Sequence, residues 1–201
     1  GEEHLDKLFL LLDVMADGSW PGGDTYQGPF LQNVLLGAQA ADRLRSTAYL
    51  QSPWLGAYPA FAWANALPDD LSNTVLNRGD YDPAVREAFV TVSSLRLIAR
   101  AQGSSLAQGL ADGLSDVRGT LSGDNMVRGV VYEILFYDEA VTPSSSASVA
   151  FHAPDGEVLI LRSSAAPTVV TGMVSGPPGG HYSYHQARSN LDLSTQPPTY
   201  T

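Results

Sequence analysis

Apolar residues recur at helical spacing through residues 1–120 and at strand spacing only afterwards. Leu5, Leu8, Phe9, Leu12 and Met15 mark one face of a first helix, predicted to end near Asp17-Gly18. Trp20-Pro21-Gly22-Gly23-Asp24 reads as a turn-rich connector. A long helix is predicted from Phe30 to Tyr49, with Leu31, Val34, Leu35, Ala38, Ala41, Leu44 and Ala48 in register and Asp42, Arg43 and Arg45 on its polar side. Pro53 to Pro68 is rich in aromatics (Trp54, Tyr58, Phe61 and Trp63), with Pro59 expected to break its middle. Interleaved alanines and the lack of a basic residue favour a packing surface over a stacking platform for sugars or bases.

Asp82-Pro83 supplies an N-cap and a first-turn proline for a helix lined by Val85, Ala88, Phe89, Val92, Leu95 and Ala99. Gly103 should stop it, and Arg96 and Arg100 fall in its last turns, where the helix dipole favours cations. A shorter helix is predicted from Ser105 to Val117. Val127 to Tyr137 then reads as a strand on its β-branched and aromatic content, with Glu133 facing solvent or an arginine. Ala147–His152 and Glu157–Arg162 flank Pro154-Asp155-Gly156 as a hairpin, and Val169–Val174 is a further strand. The order predicts an α+β chain: a helix-rich region at 1–120, a small antiparallel β region at 121–175, and a Gly/Pro linker, polar motif and extended tail at 176–201.

At 201 residues the chain suits one domain or a substantial part of a larger one. Hydrophobic content of 44% excludes disorder throughout. With no cysteine, disulfides, thiolate metal sites and thiol nucleophiles are all excluded. The net charge of −10 argues against tight nucleic-acid binding, which phosphate neutralisation by lysine and arginine dominates. Leu5 to Val14 is too short and too charged to span a bilayer, so no membrane partner is expected. Beginning at Gly1 without an initiator methionine, the chain reads as a piece of a longer product.

The densest cluster of hydrogen-bonding side chains is His181-Tyr-Ser-Tyr-His-Gln-Ala-Arg-Ser-Asn-Leu-Asp192. On a helix, His181 and His185 would share a face, but zinc wants a third ligand and no Glu lies nearby. A polar lock fits better, with Arg188 holding Asp192 or a carbonyl and Asn190 fastening a turn. Glu133 in a cleft would be a candidate carboxylate with a raised pKa, and Ser144-Ser145-Ser146 has no base near it in sequence. Pro197-Pro198-Thr199-Tyr200 has the Pro-Pro-x-Tyr spacing of a WW-domain ligand. No phosphate loop, dinucleotide fingerprint, nucleophile elbow or His-Glu-x-x-His occurs. No residue is assigned a catalytic or metal-ligating role, and no cofactor is expected.

The spacing of His181, Tyr184, His185, Ala187, Arg188, Asn190, Leu191 and Asp192 resembles a segment near the C-terminus of totivirus capsid proteins, the coats of double-stranded RNA viruses of fungi and protozoa. Looser similarity extends back to about Val127. The resemblance implies a structural coat protein located in the virion and host cytoplasm, and a chain that is part of a larger totivirus-like capsid fold. Its implied partners are other coat subunits in asymmetric dimers of an icosahedral shell, the upstream part of the coat polypeptide, an enclosed viral RNA polymerase, and double-stranded RNA held weakly. An acidic wall fits that last partner, because a packaged duplex must slide past the polymerase. The cap-taking histidine of yeast-type members has no matching motif here. On this reading the first helix and the aromatic run pack against polypeptide outside the sequence. Two alternatives come from the residues themselves: a small hydrolase using Glu133 or Asp138 with His185, and an interaction module displaying the proline-rich tail.

Overall fold

The computed structural model describes residues 1–20, 24–66, 88–117, 124–146, 150–156, 158–162, 170–175, 181–186 and 189–192. Helices α1 (Glu2–Asp13), α2 (Asp24–Arg45), α3 (Pro53–Asn65), α4 (Ala88–Gln102), α5 (Ser105–Val117) and α6 (Asp124–Phe136) come first, with a 3-10 turn at Tyr49–Gln51. Strands β1 (Ala150–Ala153), β2 (Val158–Arg162), β3 (Val170–Ser175), β4 (His181–Gln186) and β5 (Ser189–Asp192) follow. They form one antiparallel meander in the order β1-β2-β3-β4-β5. The chain is α+β, helices before sheet.

Helix α4 lies at the centre, packed by α2, α3, α5 and α6. Every residue from Val92 to Ala99 is buried, including Ser93, Ser94 and Arg96. The one-faced helix expected from Val92, Leu95 and Ala99 is thus covered on all sides, as suits a central helix. Gly103 ends it at φ +63, and Ser104 N–H reaches back to the Ala99 carbonyl at 3.0 Å, closing the left-handed C-terminal cap. Ser104 then caps α5, its hydroxyl accepting from Ala107 N–H at 3.2 Å. The Asp82-Pro83 start lies outside the described residues.

Two expectations are corrected. Pro59 does not break the aromatic run; α3 continues through it. An interior proline costs about 3 kcal/mol, and the helix offsets this by burying Trp54, Leu55, Tyr58 and Phe61, each at about 1.5–3 kcal/mol or more. The run is covered by its own chain, since Trp54 Nε1 donates to the Ser19 carbonyl (2.9 Å) and Trp63 Nε1 to that of Leu106 (2.7 Å). Only α1, of the two elements expected to need outside cover, leaves large side chains exposed.

The second correction concerns Val127–Tyr137, of which Val127–Phe136 is helical within α6 rather than a strand. Its apolar positions are nearly continuous, so periods of 2 and 3.6 fit equally well. Tertiary contacts favour the helix. Three and four residues apart, Tyr132, Glu133 and Phe136 share one face; Tyr132 stacks on Phe136 at 5.7 Å, and Glu133 and Phe136 are buried. Val131, Ile134 and Leu135 face outward.

The hairpin around Pro154-Asp155-Gly156 forms as expected, with Ala153 opposite Val158, and β3 supplies the further strand. The sheet joins the helices through Phe61 against Phe151 at 6.2 Å and through a reciprocal lock. Asp155 N–H donates to Asp17 Oδ2 (2.7 Å), and Asp17 N–H to Asp155 Oδ2 (3.3 Å).

Candidate functional site

Within His181–Asp192, β4 and β5 pair antiparallel at the edge of the sheet. Register places His185 opposite Asn190, Tyr184 opposite Leu191, and Ser183 opposite Asp192, while His181 pairs with Ser175 of β3. Ala187 and Arg188 lie outside the described residues. Four residues along a strand cover roughly 13 Å of backbone, against roughly 6 Å along a helix. The one-turn spacing on which a paired-imidazole metal site depended is therefore absent. Among the described residues, no group of three or more His, Asp or Glu is placed to hold a metal ion.

Glu133 is buried, at 8% exposure. It points between helices, where its Oε1 accepts from the Ser115 hydroxyl and lies 3.7 Å from Arg96 Nη2. Arg96 itself is 5% exposed. Its Nη1 stands 2.6 Å from Asp112 Oδ1 as a close ion contact, without hydrogen-bond alignment, and its guanidinium lies over the Tyr137 ring at 5.0 Å. The arginine alternative for Glu133 is the one realised, on a helix and facing inward. A carboxylate committed to a cation and a hydroxyl inside the packing is poorly placed to activate water. Asp138 caps the turn after α6, accepting Ala140 N–H at 3.0 Å.

A groove of about 430 Å³ opens between α1 and residues 48–53. Asp6, Phe9, Leu10 and Asp13 form one wall, with Tyr49 and Pro53 on the other. Tyr49 stacks on Phe9 at 5.1 Å and donates its hydroxyl to Asp6 Oδ1. That hydrogen bond, some desolvation, and the charges of Asp6, Glu2 and Asp42 push the phenol up to about 12. Asp13 Oδ1 accepts from the Ser52 hydroxyl and from Trp54 N–H (3.3 Å), capping α3. The sequence reading missed this groove. Its one sequence signal is the set Glu2, Asp6 and Asp13 down one side of α1, beside the face that carries Leu5, Phe9 and Leu12.

The chain matches no protein-family model, no curated protein and no solved structure. Geometry and chemistry therefore carry the functional reading. What they offer is a structural ion network, an acidic and apolar groove, and two exposed apolar helix faces. One is Leu10 and Leu11 on α1 with Val14 just past its end, at 69–73% exposure; the other is Val131, Ile134 and Leu135 on α6.

Proposed function

We propose that the chain works by association, as part of a totivirus-like coat protein that builds an icosahedral shell around double-stranded RNA and its polymerase. The observation that carries this reading is the pair of outward apolar faces. Ile134 and Leu135 stand 70% and 59% exposed, one turn from Val131. Adjacent large aliphatics on one helix face are the usual mark of a protein-contact surface. The residue pattern at 181–192, which resembles totivirus coat proteins, supports the family part of this reading, and the net charge of −10 suits a wall along which packaged RNA slides. Neighbouring copies, or the upstream part of the coat, would cover the α1 and α6 faces in the assembled shell.

Sedimentation and negative-stain electron microscopy of the native material test the proposal. Closed particles of uniform diameter, with this chain in the shell, are the expected result. A native protein that stays small at all concentrations would refute it.

A further inference from the structure

The acidic groove has a complement on the same chain. Asp6 and Asp13 each commit Oδ1 to the fold, and among the described residues Oδ2 of each has no partner. The two residues lie two helical turns apart on α1, about 10 Å, and Leu10 stands between them at 70% exposure. No basic residue lines the groove. An acidic, partly apolar slot of this kind calls for two cations flanking an aliphatic side chain.

Such a group ends α2. Arg43-Leu44-Arg45 is exposed throughout, Leu44 at 80%, and neither arginine has an ion pair among the described residues. The helix stops just beyond, where Ser46 takes φ +57. Asp42 ties this end to the groove wall, accepting the Thr47 hydroxyl (2.6 Å), Tyr49 N–H (2.9 Å) and Leu50 N–H (2.9 Å). A short, hydrogen-bonded stretch of chain therefore joins the basic tip to the acidic groove, and among the described residues neither has an ion-pair partner.

We propose that the groove receives the Arg43-Leu44-Arg45 tip of a second copy of the chain, closing a two-fold dimer. Because giver and receiver are adjacent, one rotation lets each copy provide its tip and accept the other's. That is the self-complementary arrangement a two-fold axis requires. Guanidinium groups reach the unpartnered Oδ2 atoms of Asp6 and Asp13, while Leu44 packs on Leu10 and the Tyr49 ring. Leu11 on α1 and Val14 just past its end, both exposed, extend the apolar part of the contact. Charge pairs at such a rim make association depend on salt. The contact does not rest on the coat-protein reading.

Sedimentation equilibrium of the whole chain at low and high salt tests it. A dimer that weakens as salt rises is expected. Asp6→Lys and Arg45→Glu should each weaken it at least tenfold, and the two together in one chain should restore affinity to within a few-fold of the parent. Glu139→Lys, a reversal of an exposed acid outside the groove, should change little. Circular dichroism checks each fold, and Leu44→Ser, expected to weaken the dimer without altering charge, replaces any reversal that unfolds. A chain monomeric throughout, a dimer indifferent to the single reversals, or a combined variant weaker than either single one would overturn the contact. Particles that form without this dimer would overturn the contact alone, and a dimer without particles would overturn the coat reading alone.

Discussion

Arg96→Met takes a guanidinium out of the packing between α4, α5 and α6 while keeping most of the side-chain volume. Arg96 and Glu133 are 5% and 8% exposed, so the variant removes the guanidinium that faces the buried Glu133 carboxylate. Removing one partner of a buried ion pair costs about 3–5 kcal/mol, mostly from the charge left behind. The Asp112 side chain is 42% exposed, so that limb of the network contributes at most about 1 kcal/mol. For a chain of this size each kcal/mol moves Tm by about 2–4 °C, so Arg96→Met should lower Tm by roughly 6–20 °C. Asp112→Asn should change stability by about 1 kcal/mol or less. Thermal unfolding followed by circular dichroism reads the Tm shift, and urea unfolding reads the free-energy differences. A double-mutant cycle with Glu133→Leu supplies the decisive number, since the pair should couple by more than about 1 kcal/mol and the double variant should be more stable than Arg96→Met alone. An Arg96→Met variant within 1 kcal/mol of the parent, or no coupling, would refute the assignment of this network as the clamp on α6.

Three further outcomes are expected. Burial works against the Asp17 charge, but the Ser19 hydroxyl and the N–H groups of Ser19, Asp155 and Gly156 outweigh it and hold the carboxyl below its ordinary value. The stability it contributes is therefore present above the usual carboxylate range and lost as pH falls through the lowered folded value; Asp17→Asn should flatten the acid limb of urea midpoints, and an unchanged limb would contradict this. Gly18→Ala should cost about 3 kcal/mol or more, because φ is +74 and the new Cβ would collide with the backbone at Ala57-Tyr58, whereas Gly103→Ala at φ +63 meets open space and should cost only about 1–2 kcal/mol in thermal unfolding. Ile134→Ser with Leu135→Ser should leave monomer stability nearly unchanged, within about 1 kcal/mol for the pair, while cutting particle yield measured by sedimentation.

Local chemistry was enough where an element's signal is carried by its own residues. Gly103 with its left-handed backbone, Ser105–Val117 as a helix, and Asp155-Gly156 between two alternating runs were all readable because each depends on a few neighbouring backbone groups. The α+β order followed from the same signals. Periodicity separates a wet face from a dry one, so it lost its meaning where both faces are alike. Helix α4 is buried all round from Val92 to Ala99 and reads from its sequence as one-faced; the last turns of α6 carry apolar residues on both buried and exposed sides and read as a strand. Its helical form was decided by Arg96 and Ser115, which meet Glu133 from 37 and 18 residues away and are brought there only by packing. For the same reason the acidic groove was invisible, since Asp6 and Tyr49 meet across 43 residues. The His181–Asp192 cluster was legible as a polar concentration. Whether its histidines stood one helical turn apart or were spread along a strand was decided by pairing with β3, because backbone hydrogen bonds to a distant segment choose between two local conformations that the residues alone leave nearly equal.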